Sequence, residues 1–260
     1  MLEHAIVGID HSPATDPVLE ELGHLPRLGV RRVTLVTVLG GHYPQAPEVR
    51  HRDHYHERLE EMAARLDGLD VRVEIRTGEP SRALQEVAAE SAADLLVIGS
   101  HGHTPWRDLF LGSTVLDLVR TSEVPVLLLP LGAPATTRGG GVLLATDGSA
   151  QAGPAEQVAL ELGELIGGMA TTVVAEHDGP HVDEAVAHFE QLLAESPLEP
   201  NVDHGPLPES VGQLAEQQAA DVIVVGARGH NPLAGLLLGS TAEHLLRRAN
   251  RPVLLIPAPR

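Results

Sequence analysis

The chain has 260 residues, which favours two domains that each bury an apolar core of their own. Its 36 acidic residues against 18 basic ones leave a net charge near -18, which repels nucleic-acid phosphates and anionic lipids and argues against both as partners. Cysteine is absent, which excludes disulfides, thiolate metal sites and cysteine nucleophiles.

The chain opens on MLEHAIVGID, a short apolar block without the basic start of a secretory signal. No later segment approaches the roughly 20 consecutive apolar residues that cross a bilayer. We therefore expect a soluble cytoplasmic protein.

Strand-like and helical segments alternate through the first half of the chain. Apolar or β-branched blocks predict strands at residues 5–9, 33–39, 71–75, 94–99 and 125–130. Helical patterns fall between them, near residues 16–28, 48–67, 81–92 and 113–121. The alternation predicts a doubly wound α/β fold, a parallel sheet covered by helices, in which ligands bind outside the carboxyl ends of the strands.

The segment GSHGHTPWRDLFLGST follows the fourth predicted strand and starts at Gly99. Gly99 and Gly102 allow positive φ and let a ligand approach the backbone, and after nine more residues Gly112-Ser113-Thr114 begins a helix. The N–H groups at the start of a helix attract anions, so a phosphate is the natural occupant. Turn geometry and helix capping alone also account for such residues at one junction.

The same spacing returns in GARGHNPLAGLLLGST, 127 positions later, from Gly226 to Thr241. Without a gap, 22 of the 53 aligned pairs are identical over residues 78–130 and 205–257. Capping does not fix a loop length, so the repetition favours a binding loop. Upstream, Asp10 corresponds to Asp147, and the first copy carries ten more residues around 41–67. We predict domains at residues 1–132 and 142–260, joined by a Gly/Pro/Thr-rich linker at 133–141.

Gly-x-x-Gly, nine residues and then Gly-Ser resembles the nucleotide-binding signature of the ATP-binding branch of the universal stress protein family. Three further features match that family. They are the aspartate after the first strand, the sequence Asp147-Gly148-Ser149, and the final strands PVLLLP and PVLLIP. The resemblance implies two Rossmann-like (adenine nucleotide alpha hydrolase-like) domains, each with five parallel strands in the order 3-2-1-4-5. It also implies ATP, with Mg²⁺, in a protein that senses or signals rather than catalyses.

The resemblance assigns roles to individual positions in both halves. Residues that would face the nucleotide or hold adenine are Asp10, Val38, Asp147 and Ala175. Those that would meet the ribose and phosphates are Gly99, Gly102, Gly112, Ser113, Thr114, Gly226, Gly229, Gly239, Ser240 and Thr241. Arg228, His103 and His230 are further candidate phosphate contacts. The first copy departs from the pattern, because His101 replaces Arg228 and His11 replaces Gly148.

Other interpretations stay open. The resemblance implies that the halves pack as a pseudo-dimer through their last strands, and self-association and an unidentified protein partner are compatible with it. A slow ATP hydrolase or phosphotransfer enzyme is one alternative function, and a nucleotide-free interaction module is another. His42, His51, His54 and His56 suggest zinc, but their charged surroundings favour a solvated helix face. Neither G-x-S-x-G, a P-loop lysine nor an early G-x-G-x-x-G is present.

Overall fold

The structure is a computed structural model. It describes residues 2–12, 15–40, 48–100, 111–130, 139–146, 149–167, 170–174, 187, 191, 201–203, 209–228 and 238–258. The chain divides into two compact units, Met1–Leu118 with Val124–Gly132, and Val119–Glu123 with Ala133–Arg260. The domain limits predicted above and the packing of the halves stay predictions.

The first unit alternates strands and helices as its sequence pattern predicts. Its strands are β1 (His4–Gly8), β2 (Arg32–Leu39), β3 (Asp70–Thr77), β4 (Leu95–Gly99) and β5 (Val126–Leu129). Its helices are α1 (Thr15–Leu22), α2 (Glu48–Ala63), α3 (Pro80–Glu90) and α4 (Ser113–Thr121), of which the last three residues are assigned to the second unit. The strands pair in parallel in the order β3-β2-β1-β4-β5, which confirms the expected strand order for this unit.

The second unit repeats the arrangement. Its strands are β6 (Val142–Thr146), β7 (Ala170–Val174), β8 (Asn201–Asp203), β9 (Val222–Gly226) and β10 (Val253–Ile256). Its described helices are α5 (Gly153–Ile166), α6 (Glu209–Gln217) and α7 (Ser240–Arg248). The parallel order β8-β7-β6-β9-β10 places β6, the counterpart of β1, in the middle of five strands.

Aliphatic side chains build both cores. Ile6, Leu35 and Leu95 from neighbouring strands of the first sheet are almost fully buried, as are Leu143 and Ile223 in the second. Burying one such side chain stabilises the fold by roughly 1.5–3 kcal/mol. Where the strand order reverses, right-handed crossovers place consecutive helices on opposite faces of the sheet. The central strands are therefore covered on both sides and have continuous apolar sequences. Among the described residues, no helix combines the length and apolarity needed to cross a membrane.

The helix predicted at residues 16–28 is interrupted. α1 ends at Leu22, and a separate 3-10 helix spans Leu25–Leu28. Gly23 weakens the helix, and Pro26 lacks the N–H that an α-helix would use there, so the chain starts a new, tighter turn. The connection then ends at Gly29, which is left-handed at φ 91°.

A carboxylate ties the amino ends of the first and fourth strands together in each unit. Asp94 Oδ2 accepts the N–H groups of Glu3 and His4 at 2.9 and 3.0 Å, and the Asp94 N–H donates to the His4 carbonyl at 2.9 Å. In the second unit, Asp221 Oδ2 accepts the Gly141 N–H at 3.1 Å, and its own N–H donates to the Gly141 carbonyl at 2.8 Å. Both aspartates thereby fix the alignment of the central strands.

Two alanines adopt left-handed backbone geometry just before β4 and β9. Ala92 lies at φ 48° and Ala219 at φ 53°. Each terminates a helix, because the next residue donates its N–H back five positions, from Ala93 to Ala88 and from Ala220 to Ala215. This hydrogen bond is the signature of a Schellman motif, in which glycine is the usual left-handed residue.

We expect Ala92→Gly and Ala219→Gly to stabilise the protein by about 0.5–1 kcal/mol each. The left-handed conformation costs an L-residue about 1–2 kcal/mol, and replacement by glycine removes this cost. The greater conformational entropy of glycine in the unfolded chain offsets only part of that stabilisation. Denaturant unfolding followed by circular dichroism measures the change. Ala89→Gly, an exposed position of α3, is the control and should destabilise by about 0.5–1 kcal/mol. Destabilisation by all three changes would contradict the assigned cap.

His4, at the start of β1, is a buried titratable group. Its side chain is 6% exposed, and its Nε2 lies 3.0 Å from the Thr34 hydroxyl. Burial, and after it the charge of Arg32, lowers the pKa of His4 below its ordinary value of 6.5. The Arg72 charge acts in the same direction, whereas the Asp94 carboxylate and a backbone contact from Ser91 partly oppose the decrease.

Because folding lowers the pKa of His4, the unfolded chain binds more protons below about pH 6.5. The contribution of neutral His4 to stability is therefore complete above that pH and decreases as the pH falls. We expect the stability difference between the wild type and His4→Gln to shrink from pH 7.5 to pH 5, as measured by urea unfolding. A pH-independent effect of His4→Gln would contradict the assignment.

Candidate functional site

The candidate site of the first unit lies at the carboxyl edge of its sheet. Gly8 pairs with Val36, and the Ile9 N–H donates to the Val36 carbonyl at 2.8 Å, so the register continues past the end of β1. Two residues further along both strands, Asp10 and Val38 fall in the same row. Val7 pairs with Val97 on the other side, which places Gly99 one row behind Asp10. Three residues predicted from distant segments thus meet at one edge.

Asp10 begins the loop that leaves this edge. Its side chain is exposed, and its Oδ1 accepts the Ser12 N–H at 3.0 Å, a local turn that holds the carboxylate beside the strand end. Val38 is half-buried near the end of β2. The arrangement therefore offers a fixed carboxylate next to an apolar side chain, the combination expected for a ligand with one polar and one apolar part.

The glycine loop of the first unit is described at its two ends. After Gly99 the chain stays attached to the sheet, because the Ser100 N–H donates to the Leu129 carbonyl at 2.9 Å. At the other end Gly112 precedes α4, and its carbonyl accepts the Leu116 N–H at 3.0 Å as the first helical bond. Ser113 is exposed and Thr114 half-buried, so the amino end of α4 is accessible to an anion.

In the second unit the two ends of the loop are in direct contact. The Gly239 N–H donates to the Ala227 carbonyl at 2.8 Å, which joins the start of α7 to the residue after β9. A Cβ added at Gly226 would lie 3.2 Å from the Arg228 carbonyl oxygen, so the backbone passes close to this glycine. Arg228 is exposed, Ser240 is exposed and Thr241 is half-buried. Gly226, Arg228 and the start of α7 therefore form one cluster.

Six predicted site positions lie outside the described residues: Gly102, His103, Asp147, Ala175, Gly229 and His230. His42 of the zinc hypothesis lies outside them as well. Within the described part of the chain, no group of three or more histidine, aspartate or glutamate residues is arranged to hold a metal ion.

His11 is a feature of the first site whose contacts the sequence did not predict. Its backbone is left-handed at φ 56°, the region that favours the glycine found at the equivalent position 148. Its Nε2 lies 2.8 Å from the Thr37 hydroxyl, and its ring centroid is 4.7 Å from that of Tyr55 on α2. The loop after β1 is thereby attached both to β2 and to the longer α2 segment of this half. The alignment of His11 with Gly148 was the sequence signal that could have revealed this strained backbone.

The second unit has a buried polar pair, Thr146 and Glu156, where the first unit has two apolar residues. Glu156 is 2% exposed, and the Thr146 hydroxyl donates to its Oε1 at 2.6 Å. The aligned residues of the first half, Leu19 and Ile9, are apolar. Comparing the copies position by position would have found this pair, since a glutamate on an apolar helix face departs from the pattern. The two strand-end regions therefore differ in polarity beneath a similar backbone.

Comparison with known proteins supports the internal repeat. Residues 1–130 and 141–257 each match the model of the Universal stress protein family. Universal stress protein Rv2623 of Mycobacterium tuberculosis is 26% identical, in a match that covers 96% of this chain and 95% of that protein. Universal stress protein Slr1230 of Synechocystis is 28% identical over 62% of this chain and 57% of its own length.

A solved structure supports the fold. The crystal structure of a universal stress protein from Archaeoglobus fulgidus matches 99% of this chain and 99% of its own, with a TM-score of 0.83 and 22% sequence identity. At that identity the likeness bears on the fold alone. The match extends over the whole α/β architecture, including both repeated units.

The three loop glycines should differ in their tolerance of alanine. A Cβ at Gly112 would meet nothing within 4 Å, and one at Gly239 would make ordinary contact at 3.5 Å with the Ala227 carbonyl oxygen. A Cβ at Gly226 would press on the Arg228 backbone at 3.2 Å. We expect Gly226→Ala to destabilise by about 1 kcal/mol or more, and Gly112→Ala and Gly239→Ala by clearly less. Thermal unfolding measures the order, and equal losses at all three positions would contradict it.

Proposed function

Because this chain belongs to the Universal stress protein family, whose members act in stress responses, we propose that it binds ATP with Mg²⁺ in one or both halves and acts in sensing or signalling in the cytoplasm. Proteins of this family generally do not act as conventional enzymes. Sensing requires only that a bound nucleotide alters the surface that a partner recognises.

The observation that carries this proposal is the meeting of Asp10, Val38 and Gly99 at the carboxyl edge of one sheet. In an open parallel sheet, ligands bind where the strand order reverses, which here is the gap between β1 and β4. A repeated glycine loop follows the strand on one side of that gap and leads into a helix whose amino end attracts phosphate. Adenine would lie against the backbone near Val38, and the phosphates would lie at the start of α4.

The residues present also fit a magnesium ion held through the nucleotide. Mg²⁺ prefers oxygen ligands and usually binds through one or two carboxylates together with substrate phosphates. Asp10 places an exposed carboxylate at the strand end, and its Oδ1 is already oriented by the Ser12 N–H. Mg²⁺ would neutralise phosphate charge, which matters in a chain with a net charge near -18.

We expect the second half to hold the phosphates more strongly than the first. Arg228 is a permanent cation that can bind phosphate through two parallel hydrogen bonds, whereas the first half has His101 at that position. Arg228 is also exposed beside the start of α7, where an arriving phosphate can reach it.

Calorimetry of the full-length protein with ATP and Mg²⁺, together with mass spectrometry under non-denaturing conditions, tests the proposal. We expect Arg228→Gln to weaken ATP binding by about tenfold or more, because it removes a charge-assisted hydrogen bond of about 1.5–3 kcal/mol. Arg248→Gln removes the same charge at another exposed position of the same unit and should leave the affinity unchanged.

Absence of both co-purified nucleotide and calorimetric ATP binding would overturn the proposal and favour a nucleotide-free interaction module. Gly112→Val and Gly239→Val separate the two halves, since each places a branched side chain where one loop backbone would approach the phosphates. Phosphate release measured on the same samples tests the hydrolase alternative. Turnover that persists in both glycine variants would place any hydrolysis outside these loops.

A further inference from the structure

We propose that the outer edge of β3 is a docking surface for a second copy of this chain. Among the described strands, β3 stands at the end of the sheet order and pairs with β2 alone. It spans Asp70–Thr77, eight residues that present one side of their backbone away from the sheet. Such an edge can accept another extended strand through main-chain hydrogen bonds. None of its residues belongs to a glycine loop, so pairing at this edge requires no bound nucleotide.

The backbone of β3 directs its odd-numbered residues to the outer edge. The Asp70 N–H donates to the carbonyl that precedes β2 at 2.9 Å, and the Gly78 N–H donates to the last carbonyl of β2 at 3.0 Å. Because backbone groups alternate sides along a strand, the even-numbered residues bond to β2 and the odd-numbered ones face outward. In agreement with this, the Ile75 carbonyl accepts the Arg52 guanidinium of α2 at 3.4 Å. That bond is long, so a better donor can replace it at little cost.

A groove keeps the outer edge of β3 open between two helices. It measures about 530 Å³, and its described walls include residues 73–77 of β3, Arg52 and His56 on α2, and Glu86 on α3. The described parts of α2 and α3 therefore flank the edge without closing over it. Val71 and Val73 are half-buried, so an incoming strand would also remove apolar surface from water.

Charges alternate along the even-numbered side chains of β3, in the order Asp70, Arg72, Glu74 and Arg76. Arg76 pairs with Glu74 at 2.5 Å and also with Glu90 of α3, which places this row of side chains on the α3 face. Asp70 and Arg72 are exposed, and in the described part of the chain neither side chain makes a hydrogen bond or an ion pair. Two charges of the row are therefore paired within the chain and two are not.

An antiparallel copy of β3 matches this row in a specific register. With a two-fold axis through Val73, Arg72 of each copy faces Glu74 of the other. The same axis sets Asp70 of each copy opposite Arg76 of the other. Every cross-strand pair of the row then joins opposite charges, while the outward-facing odd-numbered residues form the hydrogen-bonded pairs. Moving the axis by one residue in either direction would set like charges opposite each other. The row is thus complementary to itself, which favours a second copy over an unrelated strand.

The described part of the second unit has no such row. Its corresponding strand, β8, is described at Asn201–Asp203 and carries no basic residue there. With one self-complementary edge in each chain, pairing about a two-fold axis closes and gives a dimer instead of a filament. Each chain has a net charge near -18, but salt screens the repulsion between chains beyond about 8–10 Å. The charges in contact across the edge therefore decide the register.

Sedimentation velocity of the full-length protein over a range of concentrations, without added nucleotide, tests the surface. We expect a monomer–dimer equilibrium whose affinity falls at least about tenfold in Arg72→Glu, because the symmetric interface contains each repelled pair twice. Arg248→Glu makes the same change of charge at an exposed position of the second unit and should leave the affinity unchanged. Arg72→Glu combined with Glu74→Arg restores opposite charges across the edge and should recover most of the lost affinity.

Amide hydrogen exchange resolved by residue gives a second measurement on the wild type. The N–H groups of Val71, Val73 and Ile75 should become protected when the concentration is raised, because they bond to the second copy. The N–H groups of Arg72 and Glu74 should be protected at every concentration, because they bond to β2.

A protein that stays monomeric up to about 1 mM would overturn the inference. A dimer whose affinity is unchanged in Arg72→Glu would do the same, as would failure of the double change to recover the affinity lost in the single one. A dimer in which the outward N–H groups of β3 stay unprotected would place the contact elsewhere and would equally refute this surface.

Discussion

The alignment of the first and fourth strands in each unit is the constraint on which the candidate sites depend. One aspartate at the start of the fourth strand accepts N–H groups from the start of the first, and its own N–H donates back across the same gap. Because the side chain and the backbone act together, the register is fixed at the amino edge. Parallel strands carry that register to their carboxyl ends, where Asp10 and Gly99 lie in neighbouring rows. A slip of one residue would turn every core side chain to the opposite face.

The two halves share this frame but differ in the side chains at the strand ends. The second half has Thr146 hydrogen-bonded to the buried Glu156, where the first half has two apolar residues. The first half has His11 in the left-handed region, in contact with Tyr55, where the second half has Gly148 in its sequence. A buried carboxylate and a strained backbone are both costly, and such departures from local rules concentrate at functional sites. Both differences lie near the carboxyl ends of the first strands of the two units, beside the candidate sites.

Much of the fold could be predicted from periodicity and from the repeat. Continuous apolar runs identified the central strands, because strands that are buried on both faces are apolar at nearly every position. The order of the strands came from the family resemblance. The break after Leu22 was missed, although Gly23 and Pro26 signalled it, because the apolar pattern continues through them. Ala92 and Ala219 could not be predicted, since alanine favours helix and only tertiary pairing of the next strand imposes the left-handed turn.

The candidate site was predictable only where it follows from strand ends. Asp10, Val38 and Gly99 sit at positions that topology brings together, whatever their side chains. The contact of His11 with Tyr55 depends instead on how the loop after β1 lies against α2, and no local pattern of either segment predicts it. In a chain with a net charge near -18, long-range attraction does not bring anions to the strand ends. Salt limits that repulsion to about 8–10 Å, so recognition is left to groups in contact with the ligand. At that range the amino ends of α4 and α7 and the guanidinium of Arg228 are the groups that would hold the phosphates in the proposed function.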